Sequence, residues 1–251
     1  MGDEMNTLVF IIFTVFGACI GSFLTMAFHR IPLNEDMVLM SSHCTSCGKK
    51  LRVRSLIPII SYFIQGGKCL ECGKTIPLFY PTIEIINTIA YALIYKTFGF
   101  AFRSLFLGCL FSVVFLIILI DLKYLEIPTI CLIALSILAI LFIIFNVDID
   151  ALFALISAII YFLFIKISTV VLEYKFPNKE FLGGGDEKLS LICGAFLGIK
   201  YIGIFYLLTG CFGIISSFIW KKIKKQDIFP FAPAMLISLF IIVVYLCEKM
   251  G

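Results

Sequence analysis

Charge is scarce in this sequence: Asp, Glu, Lys and Arg make up only 14% of 251 residues, against about 25% in an ordinary soluble domain. That shortage excludes a soluble globule, a disordered chain, which depends on high charge, and a nucleic-acid-binding module, which needs a dense basic footprint. Internal repeats are also missing, and without a duplicated half-chain the paired broken helices of an ion-coupled transporter are not expected. No G-x-G-x-x-G loop occurs, so the sequence offers no nucleotide cradle of that kind. Segments of about ten residues with alternating polarity, the mark of a membrane barrel, are replaced by unbroken apolar runs such as 105–120.

What is present is apolar surface: 61% hydrophobic side chains, 27 of them phenylalanine, and a mean hydropathy of +1.10. Such a chain is an integral membrane protein, and a spanning helix takes about 20 mostly apolar residues. Runs between charges and Pro or Gly breaks predict eight helices, near 8–28, 81–95, 103–120, 129–146, 151–172, 187–197, 201–220 and 231–247. The expected fold is an all-α polytopic bundle of about eight transmembrane helices. The sixth run is short, roughly 17 Å at 1.5 Å per residue, and cannot cross a hydrocarbon core of about 30 Å unaided.

Orientation follows from lysine and arginine. With the N-terminus outside, the inner loops collect Arg30, Lys49, Lys50, Arg52, Arg54, Lys68, Lys74, Lys123, Lys175, Lys179, Lys188, Lys221, Lys222, Lys224 and Lys225. The outer side holds Lys96, Arg103, Lys200 and Lys249, and Lys166 falls inside a span. A split of 15 against 4 fixes the expected topology by the positive-inside rule, with both termini outside the cytoplasm. The first apolar stretch is preceded by Asp3 and Glu4 and followed by His29-Arg30, the reverse of a secretory signal, so it is expected to remain as an anchor. The basic cluster at 221–225 reads as a headgroup contact. The expected organisation is an N-terminal anchor over 1–28, a polar cytoplasmic segment over 29–80 and a helical bundle over 81–251.

Ten cysteines divide into two sets. Cys19, Cys109, Cys131, Cys193, Cys211 and Cys247 sit in apolar runs, where the thiol behaves as a small hydrophobe. The other four form two C-x-x-C-G turns in the polar segment, Cys44 with Cys47 and Cys69 with Cys72, followed by Gly48 and Gly73. Two such turns complete a Cys₄ zinc site, and a site with four thiolates is closed and structural. The alternative, a pair of disulfides, conflicts with a reducing cytosol. His43, beside Cys44, reads as a bystander.

A second constellation is carboxylate. Asp121 ends the apolar run 111–120, and Asp186 follows Gly183, Gly184 and Gly185 at the start of the short sixth helix. The predicted topology brings both to the cytoplasmic edge at the same depth. Taken singly, Asp186 also reads as a helix N-cap and Asp121 as a membrane-boundary marker. Together, ionisable groups at that depth point to function. Two carboxylates that share a proton supply a base for water and an acid for a scissile carbonyl, and glycines without Cβ let an extended peptide lie alongside. At a helix N-terminus the dipole favours ionised Asp186 while desolvation opposes it. Glu35 and Asp36, in the polar segment, read as a solvated charge pair.

These motifs resemble a known family. Gly183-Gly184-Gly185-Asp186-Glu187-Lys188-Leu189 is similar to the G-x-G-D signature of intramembrane aspartic proteases, in the form found in type IV prepilin peptidases. The likeness also takes in Gly21-Ser22-Phe23-Leu24, Arg30-Ile31-Pro32, the paired C-x-x-C turns, Ile57-Pro58-Ile59-Ile60-Ser61-Tyr62, Tyr80-Pro81 with Glu84, Asp121 with Ile127-Pro128, and Pro230-Phe231-Ala232-Pro233. Ser55 and Ala232 depart from the usual pattern, where an acidic or amide residue and a glycine are common. The resemblance implies a bacterial inner-membrane endopeptidase that removes the basic leader of prepilins and pseudopilins at the cytoplasmic face. Asp121 and Asp186 would be its catalytic pair and Gly183–Gly185 its active-site loop. It further implies N-methylation of the new N-terminal residue from S-adenosylmethionine, for which Glu84 is a candidate cofactor contact or, alternatively, a partner for a nearby lysine. The implied partners are prepilin substrates and the lipid bilayer, with no nucleic acid.

Overall fold

A backbone in hydrocarbon must satisfy its own hydrogen bonds, and a single chain segment does that only as a helix. The computed structural model describes residues 2–37, 40–145, 150–175, 183–224 and 229–249; within these, each of the eight apolar runs is a helix. They are α1 (Gly2–Arg30), α3 (Phe79–Phe98), α4 (Phe102–Tyr124), α5 (Thr129–Phe145), α6 (Ala151–Lys175), α7 (Gly184–Leu197), α8 (Ile202–Lys224) and α9 (Ala232–Lys249), with a five-residue helix, α2 (Ile60–Ile64), in the polar segment. Five stretches are long and apolar enough to cross a bilayer: Glu4–Arg30, Phe102–Tyr124, Ala151–Lys175, Ile199–Lys224 and Ala232–Lys249. Helix α5 is apolar but shorter, and α3 is diluted by Thr82, Glu84, Asn87 and Thr88. Lys179 and Lys225, counted above as topology determinants, and position 146 at the expected end of the fourth run lie outside the described residues.

The chain divides into two compact units, Met1–Ser112 and Val113–Gly251. In the first, α1 and α3 run antiparallel. Ring contacts pair Phe10 with Tyr95 at 5.7 Å, Phe13 with Tyr91 at 5.3 Å and Phe28 with Phe79 at 4.7 Å. Gly17 and Gly21, spaced G-x-x-x-G, form the notch that lets the backbones approach. A Cβ on Gly17 would lie 2.6 Å from Tyr91 Cβ, and one on Gly21 would lie 2.8 Å from Glu84 Cα. A buried polar ladder fixes the register: Asn87 Nδ2 donates to the Gly17 carbonyl at 2.7 Å, and Ser112 Oγ donates to Asn87 Oδ1 at 3.1 Å. Between α1 and α3 lies the polar segment, whose only strand-like pairing among the described residues is two isolated bridges, His43 with Lys50 and Lys68 with Thr75.

In the second unit α7 is the central element. With 14 residues it is roughly 21 Å long, yet Leu189, Cys193 and Phe196 are buried because α5, α6 and α9 pack around it. A helix too short to span is tolerated where protein rather than lipid surrounds it. Small residues make this packing close, since a Cβ on Gly194 would meet the Ser157 carbonyl oxygen at 2.7 Å and Ala158 Cα at 2.8 Å. A hydroxyl pair then anchors α7: Ser190 Oγ and Tyr206 OH both donate to the Tyr161 carbonyl, at 3.0 and 2.8 Å.

Candidate active site and metal centre

Asp121 sits one turn before the end of α4 and is only 5% exposed. There α4 gives way to a tight turn in which the Leu125 N–H bonds the Asp121 carbonyl at 2.9 Å and Leu125 adopts φ +54°. The Asp121 carboxylate lies near the backbone N–H of Ala232, the first residue of α9. Its Oδ2 is buried with no hydrogen-bond partner among the described residues. A buried carboxylate oxygen is costly to leave unsatisfied, so its position in the fold calls for an explanation.

Asp186 is the third residue of α7. Gly183 precedes the helix in an extended conformation, φ −77° and ψ 152°, accepts the Asp186 N–H at 3.0 Å and has its own N–H near the Asp186 carboxylate. Gly185 lets this first turn press against the loop after α4, because a Cβ there would lie 3.2 Å from Ile127 Cβ. Asp186 is thereby within electrostatic reach of Asp121. Two helix N-termini, of α7 and α9, converge on the two carboxylates and aim their positive ends at them. Among the described residues nothing lies within 4 Å of the position a Cβ on Gly184 would take.

Beside the pair, Lys166 donates to both carboxylate oxygens of Glu187, at 2.8 and 3.1 Å. The lone lysine inside a predicted span is thus explained by a partner on the neighbouring helix, one residue from Asp186. Sequence reasoning missed this pair and the Ala232 amide, since neither follows from spacing along one helix.

In the first unit the four cysteines of the polar segment come together, with all Sγ atoms within 4.8 Å of one another and Cys44 to Cys72 at 4.0 Å. At about 2.3 Å per zinc–sulfur bond, a tetrahedral site has sulfur edges of about 3.8 Å, so the donor set fits zinc. The two hairpins are built alike. The Cys44 N–H bonds the Lys49 carbonyl and the Gly48 N–H bonds the Cys44 carbonyl, and Cys69, Lys74 and Gly73 repeat the pattern within 0.1 Å. Gly48 and Gly73 both hold φ +69°, a conformation that favours glycine. The Cys44 thiol is pushed down to about 6 by the Ser46 and Cys47 N–H groups. Cys72, against the Lys74 N–H, is pushed up to about 11 by burial and the neighbouring sulfurs; sulfurs crowded this way share their protons unevenly, and a cation would relieve the crowding. Glu71 straps one hairpin to the other through Lys49 at 3.2 Å and Arg52 at 2.8 Å. The His43 ring meets the Ser41 carbonyl and stands outside the cluster.

Glu84, on the second turn of α3, accepts the Ile59 N–H at 2.6 Å and lies near the Ser22 hydroxyl; among the described residues no lysine pairs with it. It lines a cavity of about 250 Å³ together with Ser22, Thr25, His29, Arg30 and Tyr80. Arg30 is 4% exposed and clamps the chain that leaves α1 by donating to the carbonyls of Asp36, Met40 and Ser41. His29 and Tyr80 stack at 5.2 Å and 19°.

Comparison with known proteins agrees with this geometry. Residues 15–98 match the bacterial peptidase A24 N-terminal domain, and residues 108–218 match the type IV leader peptidase family. A prepilin leader peptidase/N-methyltransferase of Bacillus subtilis is 30% identical, with 88% of each chain covered. The chain belongs to the type IV leader peptidase family. Proteins of the same description from Neisseria gonorrhoeae, 28% identical over 91% of this chain and 87% of the relative, and Pseudomonas aeruginosa, 26% identical over 93% and 89%, are similar along nearly their whole length. No solved structure matches. Within this leader peptidase, the N-terminal family segment carries the cysteine cluster and Glu84. The leader-peptidase segment carries Asp121, Asp186 and the glycine loop.

Proposed function

We propose that this leader peptidase is an intramembrane aspartic endopeptidase that cuts the basic leader from prepilins and pseudopilins at the cytoplasmic face, with Asp121 and Asp186 as its catalytic pair. The observation that carries the reading is the pairing of two carboxylates within electrostatic reach of each other, one with a buried oxygen that has no hydrogen-bond partner among the described residues. The pair holds one proton between its members and titrates as a unit. The ionised member takes a proton from water as the water oxygen attacks the scissile carbonyl, while the protonated member gives its proton to the carbonyl oxygen. Collapse of the tetrahedral intermediate breaks the C–N bond: the leaving nitrogen takes the proton gained in the first step, and a hydroxyl of the intermediate returns its proton to the other carboxylate as the carbonyl re-forms. Gly183–Gly185 give an extended substrate strand room beside the acids, and among the described residues nothing lies within 4 Å of a Cβ position on Gly184. A prepilin leader is basic and its following segment apolar, which holds the scissile bond at the inner headgroup level. The 15 to 4 distribution of basic residues supports that side as cytoplasmic, with both termini outside.

The relatives' second activity is proposed for the first unit. The Cys₄ cluster binds structural zinc and shapes the polar segment, and the cavity lined by Glu84 and the stacked His29 and Tyr80 accepts S-adenosylmethionine. A buried carboxylate and aromatic faces suit a cationic ligand, which supplies the methyl group for the new N-terminal amine. Within this cavity Glu84 is oriented by the Ile59 N–H, and Arg30 holds the carbonyls of Asp36, Met40 and Ser41 in place.

Asp121→Asn and Asp186→Asn proteins, each inserted normally in membranes, are expected to leave a prepilin uncleaved; cleavage at the wild-type rate by either variant refutes the assignment. Mass spectrometry of a pilin processed with and without S-adenosylmethionine is expected to show a gain of one methylene, and an unchanged mass refutes the methyltransferase reading.

A further inference from the structure

The polar segment carries an apolar face that no described residue of the first unit covers. In α2 (Ile60–Ile64), Ser61 and Tyr62 turn inward, with Tyr62 OH donating to the Ile76 carbonyl at 3.3 Å and the ring lying against Gly67. Ile60, Phe63 and Ile64, at i, i+3 and i+4 on the opposite face, are 56%, 67% and 79% exposed. The preceding turn, Val53–Leu56, packs on α2 and adds Val53, 81% exposed, and exposed Arg54.

The depth of this face is set by one hydrogen bond. Ile59, which immediately precedes α2, is held at φ +62° and ψ −56°, a conformation a β-branched residue avoids, and its N–H is bound by Glu84 at 2.6 Å. Glu84 in turn abuts Gly21 of α1, nine residues before Arg30 and so about 13 Å inside the end of that helix at 1.5 Å per residue. The Glu4–Arg30 stretch has 27 residues, about 40 Å, roughly 10 Å more than the hydrocarbon core. If that excess is divided between its ends, Gly21 lies inside the core and the start of α2 is drawn down to the headgroup boundary. A short helix with aliphatic and aromatic side chains on its outer face and an arginine at its edge is suited to that zone.

We propose that α2 and the Val53–Leu56 turn form an interfacial anchor, with Ile60, Phe63 and Ile64 seated at the headgroup–acyl boundary of the adjacent leaflet and Arg54 at its phosphates. The anchor holds the cysteine hairpins flat on the membrane. It does not depend on the enzymatic reading, and its occupant is lipid.

Trp220 is the sole tryptophan, so a Trp220→Phe background gives a silent chain into which Phe63→Trp is placed, with Lys50→Trp as an aqueous control. Each protein is reconstituted in phosphatidylcholine/phosphatidylglycerol vesicles and checked for zinc content. The expected result is blue-shifted emission from Phe63→Trp, quenched severalfold more than the control by lipids brominated near the glycerol end of the acyl chain and shielded from aqueous iodide. Emission and iodide quenching equal to the control overturn the proposal. Shielding from both quenchers also overturns it, since protein then covers the face. Ile64→Trp, on the same face, provides the same readout if Phe63→Trp does not retain zinc.

Discussion

Gly194 brings α7 close against the backbone of α6, and replacing it by alanine tests how Asp186 is held. The added Cβ would stand 2.7 Å from the Ser157 carbonyl oxygen and 2.8 Å from Ala158 Cα, where ordinary contact begins at 3.4 Å. Both obstacles are backbone, so no side-chain rotation relieves them, and α7 must move away from α6 by about 0.7 Å. Overpacking of this kind costs about 1–3 kcal/mol. Gly194 lies two turns below Asp186 on the same rigid helix, so the displacement reaches the carboxylate pair, and a misplacement near 1 Å can lower a reaction rate by about 10²-fold. The expected outcome for Gly194→Ala in membranes is leader cleavage slowed about 10- to 100-fold, with a lower thermal midpoint in detergent. Gly210→Ala is the control, because nothing lies within 4 Å of its Cβ position; it should match wild type in both assays. Wild-type cleavage and stability in Gly194→Ala would refute the claim that this contact positions Asp186.

Purified protein should hold about one zinc per chain, lost in Cys44→Ser/Cys72→Ser, because the four sulfurs form a single closed site; four titratable thiols without metal would sink it. The Lys49 and Arg52 side chains keep the Glu71 carboxyl below its ordinary value of 4.5, so its strap is fully formed above that pH and is lost as pH falls through the lowered value. Glu71→Gln lacks the strap throughout and should release zinc at a slightly higher pH than wild type on acid titration, the difference being small because these groups are exposed; an identical midpoint would count against the strap. Lys166→Met leaves Glu187 partly buried without its cation, and cleavage should fall and be regained in Lys166→Met/Glu187→Gln. No rescue in the double variant would show that the pair does not act through charge.

Much of the candidate site was legible in the sequence because its chemistry is local. A C-x-x-C-G turn encodes its own geometry, and each hairpin closes within seven residues. The G-G-G-D run encodes a helix start. The helices were legible for a similar reason, since a lipid environment leaves an apolar run no other backbone solution. Their boundaries and depths were less so. Helix α3 is diluted by Asn87 and Glu84, whose partners, the Gly17 carbonyl and the Ile59 N–H, lie 70 and 25 residues away.

The sequence by itself determined the membrane class, the eight helices, the two thiolate turns and the two aspartates, because each is a property of composition or of neighbours along the chain. Only the tertiary structure decided how α7 is buried though too short to span, that the Ala232 N–H faces Asp121, that Lys166 answers Glu187 and that Glu84 binds the Ile59 N–H beside α1. Those depend on which small residues let which helices touch. Gly17, Gly21, Gly185 and Gly194 look alike in a sequence, and what each one permits is set by the atom that lies across from it.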